Sequence, residues 1–322
     1  LARRATQGRL TTLDRLWTQP ELILQRAGLA PDRWQTGVLR TRKAQTLLLC
    51  SRQAGKTLVA AAQALRTALL EAPALVLVLT PSERQSSEFM RRVKELHEAL
   101  RRPTNVAGRV LSYHEKRAAE ADRDDLYFRL PEKTRESALQ LHLDNGSRVI
   151  GLPASEGKVR VYSSVALLVI DEASRVDDAL YGAMRPMLAV SRGRLLALST
   201  PFGKRGWFHD AWHGGGDWER VKVTAEQCPR IPADFLAEER QALGERWFRQ
   251  EYEVSFEETV AAYFSYADIA AMASDEVGEL YLPGIDGPAT PDAAPAADVG
   301  QLYIPGVDDK PPEVWGVDKE RG

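Results

Sequence analysis

Residues 46–57 read TLLLCSRQAGKT, an apolar strand that breaks into a short loop and opens a helix at Gly55-Lys56-Thr57. That layout is a phosphate-binding loop, in which backbone N–H groups at a helix N-terminus face the anion. The amides of residues 52–57 are expected to wrap the β- and γ-phosphates of a nucleotide. Lys56 supplies a point charge and the Thr57 hydroxyl holds Mg²⁺. The usual G-x-x-x-x-G-K-[ST] pattern has lost its first glycine, and Cys50 stands in its place. Cys50 is expected to be a small apolar residue packed beneath the loop.

Two further apolar strands give the triplet its meaning. Residues 165–174, VALLVIDEAS, end in Asp171-Glu172. An Asp at the end of such a strand reaches the magnesium shell, and the Glu after it can polarise a water for in-line attack on a γ-phosphate. Residues 194–201, RLLALSTP, end in Ser199-Thr200-Pro201. Alone, Ser-Thr-Pro is an ordinary strand-to-turn signal. In ATP-driven motors a polar strand end in this order and spacing sits beside the γ-phosphate and reports nucleotide state, and Ser199 and Thr200 are expected to do the same.

Buried strands alternate with helices along residues 10–201, which predicts an α/β P-loop fold with a mostly parallel sheet covered on both faces. A helix is expected over 10–28, ending at Gly28, and a second after Asp32. Further helices are expected from Thr57 to about Leu70, from a cap at Ser82 to about Leu100, and from about Asp177 to Val190. Strand 74–80 lies between the first of these and the Ser82 helix. Residues 137–144 and 147–152 flank Asn145-Gly146, a strong hairpin signal that adds an antiparallel portion. After Pro201 the basic loop Gly203-Lys204-Arg205-Gly206 leads into Trp207 and a helix. A strand over 218–224 and short helices over 232–243 and 245–254 follow. Trp247, Phe248 and Tyr252 have helical spacing, which predicts core packing.

Composition narrows the class. No run of eighteen apolar residues occurs, so no membrane span is expected. The start, LARRATQGRL, lacks an apolar h-region, so secretion is not expected. Cys50 and Cys228 are the only cysteines, and the five histidines form no metal-ligand cluster; His209 and His213 are an i, i+4 pair without the Glu of a zinc motif. Residues 1–267 hold 40 Lys+Arg against 33 Asp+Glu, and residues 268–322 hold 3 against 12. A basic body with an acidic tail permits contact with a phosphate backbone without demanding it. In the tail, VGELYLPGID at 277–286 returns as VGQLYIPGVD at 299–308.

Together these residues resemble the ATPase region of the large terminase subunit of tailed bacteriophages. That family's loop commonly has the form of Ser51-Arg52-Gln53-Ala54-Gly55-Lys56-Thr57, without a leading glycine. Asp171-Glu172-Ala173 and Ser199-Thr200-Pro201 match its two strand-end motifs. Phe264 to Ile269 resembles its passage out of the ATPase region, so the resemblance covers roughly residues 20–270. It implies that Gln35 contacts adenine; Arg52, from its place inside the loop, is expected to contact phosphate or sense nucleotide. The resemblance also implies an arginine acting on a neighbouring subunit's ATP, for which Arg160 is the candidate. The implied activity is Mg²⁺-dependent ATP hydrolysis with Glu172 as the catalytic carboxylate. That hydrolysis drives double-stranded DNA into a preformed capsid in the infected host's cytoplasm. Portal protein and small terminase subunit are the implied partners. A homo-oligomeric ring, a pentamer, is implied when assembled, with monomers in isolation.

The expected organisation is a P-loop core over 1–201 and a small lid subdomain over 202–270. A Pro/Gly/Ala/Asp-rich linker follows over 271–312. Over 313–322, Val314 to Asp318 resembles the opening strand of the nuclease domain that usually follows. The chain stops four residues after Asp318, so no nuclease activity is expected of it. A helicase-type ATPase also fits the loop and the Asp-Glu strand, but the roughly 60 residues after Pro201 are too few for a second core of ~100–150 residues. A scaffold that binds nucleotide without hydrolysing it is opposed by the intact Lys56 and Glu172.

Overall fold

The computed structural model describes residues 12–102, 130–154 and 162–258. The candidate arginine Arg160, the 264–269 match, the tail repeat and Asp318 lie outside the described residues. Those described all fall within one compact unit. Its centre is an eight-stranded sheet in the order β3-β4-β5-β2-β6-β7-β1-β8. The strands are β1 (Gln45–Cys50), β2 (Leu75–Thr80), β3 (Lys133–Ser137), β4 (Gln140–Leu143), β5 (Arg148–Pro153), β6 (Leu167–Asp171), β7 (Arg194–Ser199) and β8 (Glu219–Val223). From β5 to β8 every neighbour is parallel, and β3 and β4 add the antiparallel end.

The apolar runs explain the burial. With a side-chain period of two, a strand buried on both faces must be apolar at every position. Leu48, Val76, Val78, Val169, Leu196 and Leu198 pack into one core. Their alternates Leu47, Leu49, Leu77, Leu79, Leu168, Ile170 and Leu195 pack into the other.

Helices α1 (Thr12–Thr18), α2 (Leu22–Arg26), α3 (Arg33–Arg40), α4 (Lys56–Leu70) and α5 (Glu83–Arg101) surround the first core. In α4 every residue from Val59 to Leu69 is buried, and its alanines let the helix lie close to the strands. As expected, Ser82 caps α5, its hydroxyl accepting from the Gln85 N–H at 3.3 Å. Helices α6 (Asp178–Met184) and α7 (Gly206–His213) flank the second core. Helices α8 (Ala233–Leu243) and α9 (Glu245–Glu251) follow β8 and close a small third core of Ala225, Phe248 and Tyr252.

Several expectations are corrected. The single helix over 10–28 is two helices, because Pro20 cannot donate to the ladder and disfavours helical geometry at Gln19. The 137–144 strand is broken by a turn at Ala138-Leu139, so two hairpins stand where one is expected. The 177–190 helix ends at Met184 and tightens into a 3₁₀ turn over Arg185–Leu188, which holds Pro186. Trp247 is 53% exposed, while Phe248 and Tyr252 are buried as their spacing predicts. Trp207, beside the basic Lys204-Arg205 loop, is buried and stacks on Tyr181 with ring centroids 3.9 Å apart. The strand expected within the lid after residue 201 is β8, which pairs in parallel with β1 as the sheet's outer strand.

Candidate active site

The C-terminal ends of β1, β6 and β7 lie side by side, where open α/β sheets gather ligands. Strand β7 sits between the strand feeding the loop and the strand ending in Asp171. The sheet order therefore places Ser199 and Thr200 between the loop and the carboxylates.

Cys50 is the last residue of β1, is fully buried and pairs in register with Val223. An extended backbone needs no glycine, which accounts for the missing first glycine of the pattern. Burial pushes its thiol up to about 12. The loop itself turns on Gln53 (φ 60°) and Gly55 (φ 91°). The left-handed φ is what calls for glycine at 55; a Cβ there would also meet the terminal Nε2 of Gln35 at 2.9 Å, which would have to shift.

Two pairs join the loop to the β6 end. Thr57 Oγ1 donates to Asp171 Oδ2 at 3.1 Å, across 114 residues of sequence. Lys56 Nζ lies 3.0 Å from Glu172 Oε1. Glu172 is left-handed (φ 52°, ψ 44°), and its N–H donates to Asp171 Oδ1 at 2.9 Å. That turn swings its carboxylate to the lysine. Burial pushes Asp171 up to about 6, against the opposing pull of Lys56. Burial also pulls Lys56 down, but Glu172 and Asp171 outweigh it and hold the ammonium above its usual value. Ser199 Oγ lies 2.6 Å from Ser174 Oγ, which also donates to the Thr200 carbonyl at 2.9 Å. The strand end expected to report nucleotide state is thus bonded to the turn that follows Glu172.

The remaining loop residues separate into roles. Ser51 N–H donates to Val223 O and Arg52 N–H to Glu251 O. The Arg52 amide, expected in the phosphate cradle, is therefore committed to α9, and the cradle begins at Gln53. The Arg52 guanidinium is 59% exposed and its Nε donates to the buried Glu251 carboxylate at 2.6 Å, which raises its pKa. Ala54 is buried and offers only its backbone. Gln35 is 2% exposed; its Oε1 accepts from Asp32 N–H at 3.0 Å, and its amide stands against Gly55.

Of the expected site residues, Arg52, Gln53, Gly55, Lys56, Thr57, Glu172 and Thr200 line a cleft of about 620 Å³, while Gln35, Ser51, Ala54, Asp171 and Ser199 stand outside its wall. Among the described residues, Arg52, Lys56, Arg92 and Arg175 supply four cations to its wall against the one carboxylate of Glu172. A cleft of one sign focuses an oppositely charged ligand such as a polyphosphate. Thr57 and Asp171 are hard oxygen donors, and one carboxylate plus substrate phosphates is the usual way to hold Mg²⁺. Sequence reasoning missed Arg92, Arg175, Glu251 and Arg230. Arg175 follows Glu172 by three residues and lies 4.1 Å over the Phe202 ring. Asp32-x-x-Gln35 is a capping-box spacing that the sequence displayed and the structure uses.

Comparison with known proteins adds the following. A family profile described as "Terminase large subunit, T4likevirus-type, N-terminal" matches residues 47–271. The large terminase subunit of Escherichia phage T5 is 30% identical over 125 residues, covering 36% of this chain and 28% of that protein. The chain thus matches less than a third of that relative's length. Among solved structures, the large terminase ATPase domain of Thermus phage P74-26 aligns with a TM-score of 0.54 and 18% identity, over 73% of this chain and 97% of that one. The large terminase of a second, thermophilic bacteriophage aligns with a TM-score of 0.50 and 10% identity, over 77% of this chain and 54% of that one. At such identities the two structures speak for the fold alone.

Proposed function

The chain belongs to the large terminase family, in its T4-like N-terminal class, and from that premise we propose that it is the ATP-hydrolysing part of a motor that moves double-stranded viral DNA into a preformed capsid. The observation that carries the reading is the meeting of Lys56 with Glu172 and of Thr57 with Asp171 at one cation-rich cleft.

The proposed chemistry is phosphoryl transfer to water. Amides from Gln53 to Thr57, unpaired at the start of α4, cradle the β- and γ-phosphates. Lys56 moves its charge from Glu172 to the phosphates. Glu172, released from the ammonium, orients the attacking water and takes its proton. Thr57 and Asp171 would hold Mg²⁺, which neutralises charge developing on the phosphate oxygens. Gln35 reads the adenine side. Arg52 leaves Glu251 for the γ-phosphate, and Arg160 of a neighbouring copy completes charge stabilisation. Ser199 and Thr200, bonded to Ser174 behind Glu172, transmit the change to the segment after β7.

The part of the 202–270 segment that follows β8 then moves, and the DNA with it. Contact with DNA is to phosphates, independent of sequence and weakened by salt. In this reading the chain works as a pentameric ring with portal protein and small terminase subunit, in the cytoplasm of the infected host. No described helix is long and apolar enough to cross a membrane.

Steady-state ATP turnover against chain concentration tests the shared site. Turnover per chain is expected to rise with concentration and to vanish in Arg160→Ala. Flat turnover per chain with an active Arg160→Ala variant would remove the trans-acting role.

A further inference from the structure

The segment after β8 folds back to the phosphate loop, and besides Glu251 on Arg52 it reaches the loop through Arg230. Arg230 donates from Nη1 to Asp32 Oδ1 and from Nη2 to Asp32 Oδ2, both at 2.8 Å. The same Nη2 donates to the Ala54 carbonyl at 3.1 Å. Asp32 is the N-cap of α3 and shares a reciprocal capping box with Gln35. One guanidinium therefore holds the cap of the helix that carries Gln35 and a carbonyl of the loop that Gln35 packs against.

The loop contact has a directional consequence. In a trans peptide the C=O and the following N–H point in opposite directions. Arg230 holds the Ala54 carbonyl, so the Gly55 N–H points away from Arg230, which is not in the cleft wall that Gly55 lines. A Cβ on Gly55 would lie 3.7 Å from Arg230 Nη2, so the guanidinium sits directly behind that peptide. A bidentate Arg–carboxylate pair fixes angle as well as distance, which a lysine's point charge does not. Asp32 raises the Arg230 pKa, consistent with a guanidinium that stays charged and engaged.

We propose that Arg230 is a positioning residue for nucleotide: by holding Asp32 and the Ala54 carbonyl together, it fixes the spacing of α3 and the loop and aims the Gly55 amide at the phosphates. This rests on the nucleotide-site reading above. It assigns Arg230 to the binding of nucleoside diphosphate and triphosphate alike, because the amide it aims belongs to the part of the cradle that both would use.

Titration calorimetry of the whole 322-residue chain with Mg-ADP and Mg-ATP tests it. Arg230→Gln and Asp32→Asn are each expected to weaken both nucleotides about tenfold, by the same factor for ADP and ATP. The double variant should bind no more weakly than the worse single one, and Arg230→Lys should fail to restore affinity. In turnover the loss should fall on KM rather than on kcat. The thermal midpoint of the nucleotide-free variants should stay within a few degrees of the parent. Parent-like affinity in Arg230→Gln, or in a folded Arg230→Lys should the Gln variant not fold, overturns the proposal. So does a loss confined to ATP, additive losses in the double variant, or a loss carried by kcat. A parent chain that binds neither nucleotide overturns the nucleotide-site reading and this proposal with it, an outcome distinct from all the others.

Discussion

Asp171 is the residue at which stability and activity oppose each other. Its carboxyl is 7% exposed, and burial raises it to about 6. In the unfolded chain it titrates near about 3.9. Between those values the folded protein binds the extra proton, so stability is highest below the unfolded pKa and falls as pH rises through the folded one. Once ionised, the group costs the nucleotide-free fold about 3 kcal/mol. Asp171→Asn should therefore raise the thermal midpoint of the nucleotide-free protein at pH 8 and raise it about half as much at pH 5. An equal shift at both pH values would show that charge burial is not the cause. Arg66, within α4, has the same character. The residue is 2% exposed, its Nε has no partner, and burial, then Arg194 and Arg42, lower it to about 10. Replacing an unpaired buried charge with an apolar chain is often neutral or stabilising. Arg66→Met is expected to match or exceed the parent in urea unfolding; a loss of more than about 1 kcal/mol would mean that its packing under Trp17 outweighs its charge.

At the level of elements, the local signals in the chain are legible and the distant pairings are not. The loop, the Asp-Glu strand, the Ser82 cap and the Asn-Gly turn are each written within a dozen residues, and each stands where the sequence puts it. The break in the helix over 10–28 is hidden because the apolar spacing continues through Pro20, which interrupts the hydrogen bonding but not the pattern. Strand β8 has a polar, partly exposed burial pattern, so nothing in it announces that it pairs with β1. The partners Glu251 and Arg230 lie 199 and 176 residues from Arg52 and Ala54. No spacing rule spans such distances, and only the fold brings them together. Gly193 shows the same limit. A Cβ there would stand 1.9 Å from the Val165 carbonyl oxygen, where the chain enters β7. Gly193→Ala is expected to cost about 3 kcal/mol or more in equilibrium unfolding, because the clash is with backbone. A cost below about 1 kcal/mol would mean that the crossing relaxes at no great expense.

On the scale of the molecule, β8 and the helices after it complete the sheet and clamp the loop. Ser51 and Arg52 give their N–H groups to Val223 and Glu251, and Arg230 holds Ala54. A chain ending at residue 201 would expose the β1 edge and unsupport the loop, so it is expected to lose cooperative unfolding and nucleotide binding together. Cooperative, nucleotide-binding behaviour in that shortened chain would show the later segment to be dispensable to the core. The central claim is that this cleft hydrolyses ATP with Glu172 as its base. Its most direct test is to measure Mg-ATP turnover and Mg-ATP binding side by side for the parent and Glu172→Gln. The account predicts that both bind ATP and that turnover falls by about 10²-fold or more in the variant, on the order expected when a general base is removed. Unchanged turnover in Glu172→Gln, with ATP bound equally by both, would contradict it.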